Sequence, residues 1–192
     1  MRLIKAIATL ISVFFIINGP AIQRAWADDD AAAIGLIHRI HRAASSNSLS
    51  SLRATIDAPA IARTVLGNYW QSANANERKN FTDALADAIV AALVRRFSGQ
   101  AKADLTILGS RKLGNGDILV RTQIARSESN TMNIDWRTRA CSSGACLADV
   151  ITDGASALIQ RREEFTTRLA NGGSIADLIS TLRATSQSSG LR

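Results

Sequence analysis

The sequence predicts an α+β domain in which amphipathic helices cover a four-stranded antiparallel sheet. Three observations carry this prediction. Apolar residues recur at helical spacing before about residue 97 and after about residue 156. Between those regions the pattern changes to the twofold alternation of half-buried strands. A glycine-rich turn at Gly114-Asn115-Gly116 and the loop between Cys141 and Cys146 join strands, and strands joined by short turns pair antiparallel.

Residues 1–27 have the layout of a Sec signal peptide. Arg2 and Lys5 precede the apolar run Ala6 to Ile17, and Ala25-Trp26-Ala27 places small residues where signal peptidase requires them. The alternative, a membrane anchor, would need about 20 apolar residues, and this run is shorter. The sequence therefore predicts cleavage before Asp28, a periplasmic location, and a single mature domain over residues 28–192.

Charge and composition argue against a nucleic-acid-binding function. The chain has 23 Lys and Arg residues against 16 Asp and Glu residues, a net charge of +7. Removal of the signal peptide takes Arg2, Lys5 and Arg24 and no acidic residue, which lowers the net charge to +4. The remaining arginines are scattered and no aromatic residues interleave with them. A mild positive charge suits anionic lipid headgroups or an acidic partner, although a solvated surface explains it as well.

The two cysteines predict a disulfide bond. Cys141 and Cys146 are separated by four residues that read as a turn, and an oxidising compartment favours the bond. A zinc site would need further thiol or imidazole ligands. Both histidines lie far upstream, so no metal and no cofactor are expected.

Helical periodicity predicts five helices. The first bears a stripe of isoleucines and ends near Ala44. A linker over 45–51 follows, and Asp57-Ala58-Pro59 then starts a short helix that ends at Leu66. The other three helices are expected over 76–97, over 156–170, and from the capping Ser174 to Arg183, with a disordered tail over 185–192.

Four strands are expected between the helices. They cover Leu105 and Ile107, then 118–124, then 132–136, and finally 146–152. Gly114-Asn115-Gly116 is typical of a hairpin turn between the first two. The cysteine loop forms the last turn.

No catalytic constellation is present, so the sequence does not predict an enzyme. His38 and His41 share a helix face but have no cysteine or carboxylate at ligand spacing. There is no G-x-S-x-G nucleophile elbow, and the glycine pairs do not open a phosphate-binding loop. Because this argument rests on absence, an esterase-like enzyme and a purely structural adaptor stay open as alternatives.

Two blocks of sequence resemble the MlaC-type periplasmic phospholipid carriers, also called toluene-tolerance or ABC-transporter auxiliary proteins. Residues 61–81, reading IARTVLGNYWQSANANERKNF, are similar to the family's I-x-x-x-V-L-G-x-x-W segment and the helix after it. Residues 149–182 are similar to its D-V-x-x-E-G-[VI]-S, R-x-x-F and G-G-I-x-x-L-I-x-x-L signature. The sequence departs from that pattern at Asp153, Arg161, Ala145 and Ser174, where the family usually has glutamate, tyrosine, tryptophan and glycine.

The resemblance implies a function in lipid transport that preserves outer-membrane lipid asymmetry. The helices and sheet would enclose an apolar cavity for phospholipid acyl chains. The partners would be an outer-membrane lipoprotein complex and the MCE-domain protein of an inner-membrane ABC transporter. A related branch accompanies hopanoid exporters, so a hopanoid or another apolar lipid is the alternative cargo.

Candidate ligand-binding residues come from the apolar faces of the predicted elements. For each of them, packing in an ordinary core is an equal alternative, and Trp70 could also lie at a wet rim of the cavity. The candidates are Val65, Leu66, Tyr69, Trp70, Leu85, Ile89 and Leu93 on helices, and Val120, Ile134, Trp136 and Val150 on strands.

Overall fold

The computed structural model describes residues 20–97, 105–127 and 130–188. The predicted signal peptide lies mostly outside these ranges, as do the last residues of the predicted tail. Within the described ranges, no helix combines the length and the apolar character that crossing a bilayer requires.

The described residues form seven helices. α1 is long, α2 and α4 are short, and α5 is the central helix that packs against α7. Their bounds are α1 Pro20–Ser45, α2 Leu49–Arg53, α3 Ala58–Leu66, α4 Tyr69–Ser72, α5 Ala75–Phe97, α6 Ala157–Ala170 and α7 Ile175–Gln187.

The helix starts follow the capping residues in the sequence. The Asp57 side chain accepts a hydrogen bond from the backbone N–H of Ala60 at the start of α3. Ser156 caps α6, and Ser174 forms a reciprocal capping box with Asp177 at the start of α7. Each cap satisfies a backbone donor that has no partner within the helix.

The sheet is an antiparallel meander of five strands, in the order β1-β2-β3-β4-β5. The strands are β1 Leu105–Lys112, β2 Ile118–Ser127, β3 Asn130–Cys141, β4 Gly144–Thr152 and β5 Ala155–Ser156. The prediction of four strands is therefore wrong by one. β5 pairs only Ile151 with Ser156 and Thr152 with Ala155, and a two-residue strand has no periodicity by which a sequence could reveal it.

Two helical boundaries also differ from the prediction. Residues 49–51 of the expected linker belong to α2, Leu49–Arg53, which buries Leu52. α7 continues to Gln187, so the first residues of the expected tail are helical. In both segments serine and threonine obscure the apolar periodicity.

One face of the sheet is buried against the helices. On β2, Val120, Thr122 and Ile124 are fully buried, whereas Arg121 on the opposite face is exposed. α1 contacts each of the four long strands. The alternation that predicted these strands therefore correctly assigned the core face of β2.

The predicted disulfide bond joins Cys141 at the end of β3 to Cys146 on β4. The two Cα atoms are 5.9 Å apart, within the usual range for a disulfide. The bond closes the β3–β4 hairpin at the end of the sheet.

Candidate functional site

A cleft lies between helices α3, α5, α6 and α7 and strand β4. Its volume is about 470 Å³, within the range of about 300–1,000 Å³ that is typical of small-molecule sites. Its floor consists of buried apolar side chains. These are Ile61, Val65, Leu85, Ala88, Leu93, Leu147, Ala148, Leu158 and Leu182.

The mouth of the cleft is lined by small and polar residues. Ala92, Ala155, Ala157 and Gln160 line the cleft and are exposed, so the cleft opens to solvent along this side. Arg95, Arg96 and Arg161 also line it. The cleft is thus apolar on the inside and basic at its edge.

Alanines on α5 make room for the cleft. Ala88 and Ala92 are four residues apart on the helix and both line the cleft. Residues at this spacing lie on the same helix face, and a side chain as short as alanine leaves space beside the helix axis.

A β-bulge in β4 supplies the sheet side of the cleft. Trp136 and Thr138, which share a face of β3, lie opposite Val150 and Leu147. In a regular strand, residues three apart point to opposite faces. The register shift between Arg137 and Thr138 accommodates one extra β4 residue, so Leu147 and Val150 both face the helices.

Asp149 joins this bulged strand to α6. Its Oδ1 accepts hydrogen bonds from the backbone N–H groups of Val150 (2.8 Å) and Leu158 (3.0 Å). Its Oδ2 accepts one from the Ser156 hydroxyl (2.5 Å), and Arg137 Nη2 lies 3.7 Å from the same oxygen. Every carboxylate oxygen therefore has a partner, and β4 and α6 are held as two walls of the cleft.

Five of the eleven predicted ligand-binding residues line the cleft. They are Val65, Leu85, Ile89, Leu93 and Val150. These residues come from α3, α5 and β4, which approach one another only in the folded chain.

The six other predicted residues lie outside the cleft lining. Leu66, Val120, Ile134 and Trp136 are buried in the core. Trp136 stacks on Phe97 with ring centroids 6.0 Å apart, and its indole N–H donates to the Thr122 hydroxyl at 2.9 Å. These contacts hold the indole between the sheet and α5.

Tyr69 and Trp70 lie on α4 and are partly buried. The guanidinium carbons of Arg63 and Arg78 lie 5.8 Å and 5.5 Å from the centre of the Trp70 ring. Arg78 Nε also donates to the Trp70 carbonyl oxygen at 2.9 Å. Trp70 thus packs between two cations on the surface, a cation–π arrangement.

Sequence reasoning missed the contribution of the last two helices. Leu158 and Arg161 on α6 and Leu182 and Thr185 on α7 line the cleft. The apolar spacing of Leu178 and Leu182 was a usable signal, since residues four apart share a helix face. The cleft also contains no group of three or more histidine, cysteine, aspartate or glutamate side chains arranged for a metal ion, nor does any other described part of the chain.

Comparisons with known proteins agree with this architecture. The family model described as MlaC protein matches residues 44–184, well over half of the chain. The phospholipid-binding protein from Ralstonia solanacearum, solved in complex with a phospholipid, has a similar fold with a TM-score of 0.70 and 12% sequence identity. The alignment covers 85% of this chain and 99% of that one. No curated protein matches the sequence. The chain belongs to the MlaC family.

Proposed function

We propose that this protein is a periplasmic carrier that holds phospholipid acyl chains in the cleft and moves lipid between outer-membrane and inner-membrane complexes. The observation that carries the proposal is a cleft with a buried apolar floor and an open mouth in a member of the MlaC family. Apolar chains are the ligands that such a floor binds best, because their burial removes hydrocarbon from water.

A carrier of this kind needs no chemical step of its own. Burying one methylene is worth about 0.8 kcal/mol, so two long chains hidden from water would represent roughly 25 kcal/mol. That value exceeds the ceiling of about 18–21 kcal/mol for non-covalent affinity. Exchange is feasible because a bilayer also keeps the chains dry. Direction must therefore come from partners, for which we propose an outer-membrane lipoprotein complex and an ATP-driven transporter with an MCE-domain protein.

Cleavage before Asp28 is compatible with the fold. It would leave Asp29 and Asp30 in the first turn of α1, and carboxylates at a helix N-terminus interact favourably with the helix dipole. Asp29 Oδ2 also lies 3.2 Å from Lys112 Nζ on β1. The shortened helix would retain this connection to the sheet.

Substitution of Ala92 tests whether the cleft holds the lipid. Ala92 is exposed and lines the cleft, so in Ala92→Trp the indole can occupy the cleft without displacing core side chains. We expect normal circular dichroism and at least a severalfold loss of co-purifying lipid. The melting temperature should equal that of the wild type when both proteins are compared free of lipid, since bound lipid stabilises the folded state. Lipid is measured by extraction and mass spectrometry.

Ala176→Trp is the matched control, because Ala176 is also exposed on a helix but lies outside the cleft lining. It should keep its lipid. Val120→Trp provides a core comparison: Val120 is fully buried, and overpacking should cost about 1–3 kcal/mol of stability. Equal lipid content in Ala92→Trp and Ala176→Trp would contradict the assignment of the cleft. A hopanoid in the extract would identify the alternative cargo.

A further inference from the structure

We propose that Arg95, Arg96 and Arg161 form a binding site for the phosphate of an anionic lipid headgroup at the mouth of the cleft. Both lipid classes carry this phosphate, but only a zwitterionic headgroup adds a cation, which three guanidinium groups would repel. The protein would therefore select anionic phospholipids over zwitterionic ones with the same acyl chains. This inference rests on the proposed function and specifies its substrate class.

The three arginines converge on one cleft from two elements. Arg95 and Arg96 are in the last turn of α5, and Arg161 is in the first half of α6. All three belong to the lining whose floor is apolar. A phospholipid whose chains lie on that floor places its phosphate at the polar part of the same lining. Guanidinium groups are well suited to bind phosphate, because their planar donors match its oxygens.

Neighbouring side chains hold two of these guanidinium groups in place. Arg96 Nη2 donates to the Thr152 hydroxyl at 3.1 Å and lies 3.0 Å from Met132 Sδ. The Arg161 guanidinium carbon lies 5.3 Å from the centre of the Phe165 ring. A side chain that is already positioned loses less conformational freedom when it binds a ligand.

Two acidic side chains, Asp149 and Glu164, lie in or beside the cleft lining. Asp149 lines the cleft, but its side chain is only 3% exposed. Its oxygens are occupied by two backbone N–H groups, a serine hydroxyl and Arg137. Glu164 Oε2 pairs with Arg161 Nη1 at 2.8 Å, but this pair is largely exposed, and exposed pairs are worth only about 0.2–1 kcal/mol. A guanidinium has five N–H donors, so Arg161 can bind a second anion.

A purely structural role is the alternative for these arginines. Cations in the last turn of a helix stabilise its carbonyl end, which could account for Arg95 and Arg96. Arg161 has structural contacts with Glu164 and with the Phe165 ring. The structural role predicts an effect on stability alone, whereas a headgroup site predicts a lipid preference.

A competition experiment tests the proposal. The protein is incubated with mixed vesicles of equal parts dioleoyl-phosphatidylglycerol and dioleoyl-phosphatidylcholine, then separated, and its lipid is quantified by mass spectrometry. The two lipids have identical acyl chains and are presented in the same vesicles, so they differ only in the headgroup. We expect phosphatidylglycerol to be enriched about tenfold, which corresponds to about 1.4 kcal/mol. The enrichment should shrink at high salt, since ions screen exposed charges.

Arg95→Gln/Arg161→Gln should reduce the enrichment severalfold while the total lipid bound stays near normal. The control Arg42→Gln/Arg111→Gln removes the same charge from exposed positions outside the cleft lining and should keep the wild-type ratio. Inorganic phosphate, as an anion without acyl chains, should not displace the lipid.

Three results would overturn the proposal. If wild-type protein takes up lipid at the vesicle ratio, the carrier function stands but the headgroup site does not. If the protein takes up neither lipid, the carrier function itself fails and the headgroup site with it. If inorganic phosphate displaces phosphatidylglycerol, the arginines bind phosphate independently of a lipid.

Discussion

At the scale of single residues, Asp149 connects strands β3 and β4 to helix α6. It caps the backbone of Leu158 at the start of α6, accepts from Ser156, and lies beside Arg137 on β3. In the sequence, Asp149 is an aspartate within the predicted strand 146–152. Its full set of partners depends on the bulge in β4, which local sequence does not reveal.

Asp149→Asn tests this role. The substitution keeps the size but removes the charge and replaces one acceptor with a donor. Depending on the orientation of the amide, either the two backbone N–H groups or the Ser156 hydroxyl and Arg137 lose their acceptor. We expect a loss of about 2–3 kcal/mol in the free energy of unfolding, measured by urea titration, because unsatisfied buried donors are costly. Asp153→Asn is the control: Asp153 is exposed with φ of 52°, a conformation asparagine tolerates. Equal stability of the two variants would contradict the assigned role.

The surroundings of His41 should make the free energy of unfolding depend on pH. Its ring packs edge-on against Phe97, with centroids 5.6 Å apart. Burial lowers the pKa of His41 below its ordinary value of 6.5, and neighbouring His38 lowers it further. The folded protein therefore favours neutral imidazole. The stability that this provides is present above about pH 6.5 and is lost as the pH falls through the lower pKa of the folded state.

His41→Gln should flatten the fall in stability between about pH 7 and pH 5, because it removes the group that titrates. Urea unfolding at several pH values measures this. His38→Gln, at an exposed position, should retain most of the wild-type dependence. An unchanged slope in His41→Gln would show that another group is responsible.

At the scale of elements, the sequence predicted regular structure well and irregular structure poorly. Strands β2 and β3 were predicted from their alternation, and helix α5 from its four-residue apolar spacing. Each of these patterns repeats over several helical turns or residue pairs. β5, α2 and the bulge at Ala148 lack such repetition. The residues of the candidate site were likewise predictable on regular elements and not elsewhere. Val65, Leu85, Ile89 and Leu93 were found on regular helices, whereas the contributions of Leu158 and Leu182 depended on how distant helices pack.

Residues Val120, Ile134 and Trp136 illustrate the limit of periodicity. Alternation correctly assigned them to the buried face of the sheet. It could not distinguish a face covered by helices from a face that lines a cleft, because both require apolar side chains. Only the placement of α1 and Phe97 over these strands separates the two cases.

The disulfide bond provides a prediction for the β3–β4 hairpin. Cys141→Ser/Cys146→Ser should lose about 2 kcal/mol of stability, from loop-closure arithmetic for a short ring. Lipid content should be unchanged, because neither cysteine belongs to the cleft lining. Thermal unfolding with and without a reductant checks this: the reductant should lower the melting temperature of the wild type and leave that of the double variant unchanged. Loss of lipid on reduction alone would contradict a structural role.

At the scale of the whole molecule, the cleft lies at one side of a continuous core. α1 and the buried face of the sheet pack together with Phe97, and the cleft floor belongs to the same cluster of buried side chains. Exposed alanines and Gln160 at the mouth leave the cleft open to solvent. An open cleft suits a carrier, whose cargo must exchange while its fold persists.

The start of the mature chain is a prediction at this scale. N-terminal sequencing of protein isolated from the periplasm should begin at Asp28. Recovery of an intact Met1 end in the membrane fraction would instead indicate an anchored protein and would contradict the proposed shuttle.

Native mass spectrometry of the protein purified gently from its own periplasm, followed by extraction of the released ligand, tests the central claim most directly. A carrier should appear with a bound mass, and the extract should contain phospholipid, in an amount that Ala92→Trp reduces and Ala176→Trp does not. A wild-type protein that is free of lipid would contradict the account and would favour an adaptor that binds no ligand.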